Sequence, residues 1–294
     1  MTIDPLDYSL IFRSGAMQKV IRDVERIAPR DVAVLLTGES GTGKELIADL
    51  IHTRSGRPRI SKISYCSSLE PKELEDAYND TQEGTLLLRD ICEMPTQTQG
   101  MLLRLLDRYE GNPAIADTRG KLGARLIAVT NRKPQEALEK GMLLEALYYR
   151  ISAFPLHIPP LRERPDDIRP LAELFLKRFA ARDNRAVKGY TPTAVHVLAG
   201  FNWPGNMNEL ERVVQRAVLF CERDMVDADD LDITASKPPP GEHDTSFTVI
   251  ESVERNTIVQ MLKETGGNKR EAAKRLGIGR QTLYNKIKAY SIEV

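Results

Sequence analysis

One eight-residue stretch limits the fold more than any other. Gly38-Glu39-Ser40-Gly41-Thr42-Gly43-Lys44-Glu45 follows the apolar run Val32-Ala33-Val34-Leu35-Leu36 after the single residue Thr37. Glycines at this spacing let the backbone curl until successive N–H groups point inward at phosphate oxygens. A helix starting near Lys44 adds its positive end, and the lysine ammonium reaches the terminal phosphates. The strand before and the helix after fit a phosphate cradle better than a plain glycine-rich turn. The Ser or Thr that usually follows the lysine is Glu45 here, so the customary magnesium hydroxyl is missing at that position.

The surrounding pattern is α/β. Thr85-Leu86-Leu87-Leu88 and Leu126-Ile127-Ala128-Val129 are further candidates for buried strands, while Met101–Tyr109 and Pro134–Tyr149 repeat leucine at helical spacing. Continuous apolar strands separated by amphipathic helices predict a parallel sheet covered on both faces. After Pro159-Pro160 the strand signals disappear, and helices are expected over Asp166–Phe179, Thr191–Leu198 and Asn208–Cys221. Lys237-Pro238-Pro239-Pro240-Gly241 reads as a linker. The expected organisation is an α/β phosphate-loop subdomain over 1–160, a helical subdomain over 161–232, a linker over 233–246 and a small helical domain over 247–294.

Composition matters where it is uneven. Lys plus Arg and Asp plus Glu both number 42, yet Gly266–Tyr290 carries seven basic residues against Glu271 alone. That stretch is a basic module on a mildly acidic body. Gly266–Ile278 reads as a helix ending in a tight glycine turn, and Gly279–Lys288 as a second helix. Ala273, Leu276, Ile278, Leu283 and Ile287 supply a small core shared with Ile258 and Leu262, leaving a basic, amide-rich face. This is a helix-turn-helix pattern for double-stranded DNA. Arg280, Gln281, Thr282 and Asn285 are placed for base edges, and Lys269, Arg270, Lys286 and Lys288 for phosphates. Cys66, Cys92 and Cys221 are scattered, and the four histidines have no ligand spacing, so no metal site is assigned. No apolar run approaches a membrane span, and a cytoplasmic location is expected.

The motifs together resemble the AAA+ domain of NtrC-type, sigma-54-dependent bacterial enhancer-binding proteins. GESGTGKE is joined by Glu83-Gly84-Thr85-Leu86, Ala128-Val129-Thr130-Asn131-Arg132, Leu147-Tyr148-Tyr149-Arg150, Pro159-Pro160-Leu161-Arg162-Glu163-Arg164 and Trp203-Pro204-Gly205-Asn206. The tail resembles the family's Fis-type domain. The resemblance implies a AAA+ phosphate-loop parallel sheet with a helical lid, then a small all-α Fis-type helix-turn-helix. It also implies bound ATP or another nucleotide at Gly38–Glu45.

Against the family pattern, several positions depart. Arg89 stands where the metal-binding Asp belongs, and Asp90 replaces the catalytic Glu. The first trans-acting arginine falls on Leu144, leaving Arg150; the sensor arginine falls on Asn208, and the coupling Asn on Tyr65. Only Asn79-Asp80-Thr81-Gln82 separates Tyr78 from Glu83, where the family carries its long sigma-54-contacting loop. These departures predict a regulator that binds nucleotide but is not an enzyme, with magnesium use left open. It is expected to work with the ordinary RNA polymerase holoenzyme, as a homodimer or larger homo-oligomer, independently of sigma-54. Cyclic di-GMP is a candidate ligand, with Ile11-Phe12-Arg13-Ser14 as a weak echo of one branch of the family. The competing hypothesis is an active ATPase that remodels sigma-54 polymerase.

Overall fold

Side-chain alternation along the strands accounts for the core. The computed structural model describes residues 11–110 and 123–233, with single positions at 261, 265, 269, 273 and 275. Strands β1 (Val34–Thr37), β2 (Ile60–Ile63), β3 (Thr85–Arg89), β4 (Arg125–Thr130) and β5 (Phe154–His157) form one parallel sheet in the order β2-β3-β4-β1-β5. Val34, Leu36, Leu87, Ile127 and Val129 enter one core, whereas Leu35, Leu86, Leu88, Leu126 and Ala128 enter the other. Both faces are therefore apolar, and both are covered by helices.

Helices α1 (Gly15–Ile27), α2 (Lys44–Ser55), α3 (Pro71–Asp80), α4 (Thr96–Glu110), α5 (Pro134–Glu139) and α6 (Glu145–Ile151) complete this subdomain. The leucine-rich segment from Pro134 makes two helices rather than one, because Gly141 adopts φ +67° between them. Strands β2 and β5 are not evident from the sequence. Both lie at sheet edges, where β2 is half-exposed and β5 tolerates Pro155 because an edge strand can spare an N–H.

Beyond Pro160 lie α7 (Pro165–Arg182), β6 (Gly189–Tyr190), α8 (Pro192–Gly200), α9 (Asn206–Phe220) and β7 (Met225–Val226). The disappearance of strands expected here needs correcting, since β6 and β7 pair in parallel, although two residues each are too short for a periodicity signal. Trp203 is fully buried, donates Nε1 to the Leu198 carbonyl (2.9 Å) and meets Phe201 edge-on. The chain divides into two compact units, residues 1–233 and 234–294.

The register brings the chemistry to one edge. Thr37 pairs with Thr130, and Arg89 with Val129, so the loops after β1, β3 and β4 emerge together at the carboxyl end of the sheet. Open α/β sheets bind ligands at this end.

Candidate functional site

Gly38, Gly41 and Gly43 all have positive φ, and Gly43 caps α2 with Lys44 as its first residue. Substitution is blocked from two sides. A Cβ on Gly38 would sit 2.5 Å from the Ile158 carbonyl oxygen, and one on Gly41 would sit 2.5 Å from that of Gly205. The loop is thus wedged between the end of β5 and the lid. Lys44 is buried, and its Nζ donates to the Gly38 (2.8 Å) and Glu39 (2.7 Å) carbonyls. Burial lowers its pKa to about 8, with Asp90 and Glu45 opposing the fall.

Across a cavity of about 290 Å³ lies the end of β3. Arg89 Nη2 is 2.8 Å from Glu45 Oε1. Asp90 has left-handed backbone (φ +55°) and accepts a long hydrogen bond from Asn131 Nδ2 (3.3 Å). Burial, then the neighbouring Glu93 charge, raises the Asp90 carboxyl above its ordinary range, partly offset by Arg89 and Lys44. Arg132 fixes Glu93 through Nε (3.1 Å) and Nη2 (2.9 Å). The lid contributes Phe175, Met207, Asn208 and Glu211 to the same cavity.

The lid also grips the loop through residues to which the sequence assigned no role. Asn206, fully buried, accepts from the Leu161 N–H (2.7 Å) and donates to the Ser40 carbonyl (2.9 Å) and Glu39 Oε2 (3.2 Å). Arg162 holds both Glu39 oxygens (2.8 and 2.5 Å), which lowers the Glu39 pKa. Met207 N–H donates to the Gly41 carbonyl (2.9 Å), and Arg164 Nη2 to that of Thr42 (2.6 Å). Arg164 is fully buried with its guanidinium 5.6 Å from the Phe12 ring centroid, and burial lowers its pKa to about 10. Their signal was present in Leu161-Arg162-Glu163-Arg164 and Trp203-Pro204-Gly205-Asn206, but nothing local shows that these segments meet the loop.

Of the predicted positions, Ser40, Gly41, Gly43, Lys44, Glu45, Arg89, Asp90 and Asn208 share the cavity. Leu144 does not; it caps α6, donates its N–H to Gln99 Oε1 (2.8 Å) and packs on the second core. Arg150 pairs with Asp107, and Tyr65 is exposed. Tyr148 packs on the second core, whereas Tyr149 is 67% exposed and faces outward on a short surface helix. In Ile11-Phe12-Arg13-Ser14, Phe12 and Ser14 are buried and only Arg13 is exposed. Asp167 pins the segment by accepting from Arg13 N (2.5 Å), Ser14 N (2.7 Å) and Ser14 Oγ (2.8 Å).

In the second unit, Lys269 is helical and half-buried, Ala273 buried and Arg275 exposed. The DNA-contacting positions expected at Arg270, Arg280, Gln281, Thr282, Asn285, Lys286 and Lys288 lie outside the described residues. Among the described residues, no helix is long and apolar enough to cross a membrane.

Comparison with known proteins places these features in a family. Residues 11–161 match the Sigma-54 interaction domain, 162–246 the AAA+ ATPase lid domain, and 249–290 the bacterial regulatory protein Fis family. The transcriptional regulatory protein ZraR of Klebsiella oxytoca is 35% identical over 95% of this chain and 68% of its own length. NtrX of Brucella abortus, solved in complex with ATP and with ADP, is 27% identical with a TM-score of 0.64, covering 94% of this chain and about two thirds of NtrX. The Thermotoga maritima RuvB branch migration motor shares the fold, with a TM-score of 0.53 at 16% identity over 92% of this chain and 83% of RuvB. These matches correct the expectation that the chain is not an enzyme, because the relatives and the lid are of AAA+ ATPase type. That expectation gave each departure the weight of a loss, whereas the loop, Lys44, Asp90 and Asn131 still converge on one cavity. The chain belongs to the family of AAA+ transcriptional regulators that carry a sigma-54 interaction domain and a Fis-type DNA-binding domain.

Proposed function

We propose that this chain is a cytoplasmic, sequence-specific DNA-binding regulator whose AAA+ body binds ATP and ADP at Gly38–Glu45 and works with RNA polymerase holoenzyme without the sigma-54 loop. One observation carries the nucleotide reading. The glycine loop, the first turn of α2 and Lys44 form one wall of a cavity whose other walls are the end of β3 and the lid. Loop amides and a lysine at a helix start recognise polyphosphate, and NtrX has been solved with both nucleotides.

Calorimetry of the full chain with ATP, ADP and cyclic di-GMP tests the assignment. ATP or ADP binding lost in Lys44→Ala supports it. Binding of cyclic di-GMP alone would transfer the site to a second-messenger role. Asp90 is the carboxylate beside the loop, so Asp90→Asn is expected to abolish ATP turnover while leaving nucleotide bound.

The turn between α3 and β3 supports independence from sigma-54. Gly84 N–H donates to the Thr81 carbonyl (2.7 Å), and Thr81 N–H to that of Ala77 (3.2 Å). Arg57 Nη1 holds the Glu83 and Gly84 carbonyls (3.1 Å each), and Arg59 Nη1 that of Asp80 (2.8 Å). A closed, clamped turn occupies the place where family members extend a loop. Transcription reconstituted with each holoenzyme decides the point, and stimulation confined to sigma-54 polymerase would overturn it.

The DNA reading rests on the Fis-family match over 249–290 and the basic excess of the tail. The working form is a homodimer or larger homo-oligomer, checked by sedimentation, with two tails on half-sites about one helical turn apart or a multiple of it. Arg280→Ala is expected to cost roughly 1–3 kcal/mol on the cognate site and relax specificity there. Lys286→Ala is expected to weaken all sequences alike and reduce the salt slope by about one unit. Gel shifts across salt concentrations separate the two.

A further inference from the structure

We propose that Arg89 is a phosphate-binding residue, pairing directly with the terminal phosphates of the bound nucleotide so that binding does not require magnesium. This rests on the nucleotide reading above and adds to it the source of the countercharge.

A magnesium ion does not fit the side chains at the end of β3. Mg²⁺ takes carboxylate, phosphate and water oxygens in near-octahedral geometry, and phosphate sites usually offer it a hydroxyl after the lysine and a carboxylate at the strand end. Here those two positions are Glu45 and Arg89, and the two side chains are paired with each other at 2.8 Å. A guanidinium stands at the strand end in place of the carboxylate that such sites use to hold the metal. The other carboxylate at the strand end, Asp90, is engaged by Asn131 and neighboured by Glu93, and Glu211 on the lid side is paired with Arg178.

The same observations fit Arg89 as the cation. It ends β3 in register with Val129 and borders the cavity beside Lys44. The Arg89 and Glu45 side chains are 36% and 47% exposed. An ion pair that wet is weak, whereas a guanidinium gripping phosphate through two hydrogen bonds is a strong, directional contact. Exchange of Glu45 for phosphate is therefore favourable. The released Glu45 stays in the first turn of α2, where the helix dipole stabilises a carboxylate. Glu45 is then a competitor, holding Arg89 until a polyphosphate takes it.

The test is titration of the full chain with ATP and ADP in excess magnesium and in excess EDTA. Wild-type affinity is expected to agree within about threefold between the two conditions, because the cation comes from the protein. Arg89→Ala is expected to weaken binding about tenfold or more in both, and Arg89→Lys to recover part of the loss. Arg89→Asp, which restores a strand-end carboxylate, is expected to make binding magnesium-dependent. Glu45→Gln is expected to tighten binding several-fold by removing the competitor. Wild-type binding that collapses in EDTA, or Arg89→Ala binding as well as wild type, would overturn the role of Arg89 while the nucleotide site stands. Absence of binding in both conditions would instead overturn the nucleotide site itself.

Discussion

The two walls of the cavity are built by different means. Backbone makes the loop wall: Gly38, Gly41 and Gly43 turn the chain, and Lys44 folds back on the Gly38 and Glu39 carbonyls. Side chains make the β3 wall: Arg89 on Glu45 and Asp90 under Asn131. A backbone site needs glycines at fixed positions and tolerates change elsewhere. A side-chain site can be rewired by exchanging one residue. Hence the loop keeps its phosphate chemistry while the strand end offers a guanidinium where a carboxylate is expected.

The largest break in that comparison comes from the loop. Gly41→Ala must hold a side chain at φ +74° and place Cβ 2.5 Å from the Gly205 carbonyl oxygen, a backbone atom that cannot swing aside. Left-handed strain and overpacking together are expected to cost about 2–5 kcal/mol, with nucleotide binding lost. Thermal unfolding of the variant beside Arg89→Ala makes the contrast. If Arg89→Ala destabilises as much, the β3 wall is as structural as the loop, and the distinction fails.

Asn206→Ala comes next, and it strikes the joint between loop and lid. The change leaves the Leu161 N–H and Ser40 carbonyl without their partner and forces alanine to φ +52°. A buried group left unpaired costs about 1–3 kcal/mol, so a loss of about 2–3 kcal/mol is expected in chemical denaturation. Asn206→Gly relieves the backbone but not the hydrogen bonds, so it separates the two contributions. A Gly variant as stable as wild type would mean that backbone strain alone sets the cost.

How much of this was legible follows from the same contrast. Gly38–Lys44 after an apolar strand is a local pattern, and so were the strands at the centre of the sheet, whose continuous apolar runs need no partner to be recognised. Edge strands β2 and β5 carry weaker patterns, because one side of each lacks a neighbour and Pro155 obscures the second. Asn206 and Arg162 lie more than 120 residues from the loop they hold, and no periodicity encodes a contact of that span. Asp90 and Arg89 were visible as types but not as partners of Asn131 and Glu45.

Titration distinguishes the two walls by the pH at which each acts. Lys44, its pKa lowered to about 8, loses its charge as pH rises through that value. Phosphate favours the charged form, so ADP affinity is expected to fall by up to about tenfold per pH unit above the Lys44 pKa in the free protein. Asp90 has a raised pKa and acts on the acid side. Its protonation removes a negative charge beside the phosphates, so affinity rises as pH drops into its range. Lys44→Arg is expected to flatten the alkaline limb alone. A limb that persists in Lys44→Arg would assign the dependence to another group.

The smallest effect is expected where the drawn geometry looks strongest. Arg162 reaches both oxygens of Glu39, yet the two side chains are 41% and 43% exposed, so water screens the pair. Exposed pairs typically contribute about 0.2–1 kcal/mol. Arg162→Ala is therefore expected to lose no more than that, and less at high salt. The sign with pH follows from Glu39, whose pKa is lowered chiefly by its hydrogen bonds to Arg162. Its contribution is present above the unfolded value and fades as pH falls through the lower folded value. A double-mutant cycle of Arg162→Ala with Glu39→Gln, read by urea denaturation at neutral and acid pH, isolates the coupling. Coupling as large as the Asn206→Ala loss would show that charge, rather than the buried amide, fastens the lid to the phosphate loop.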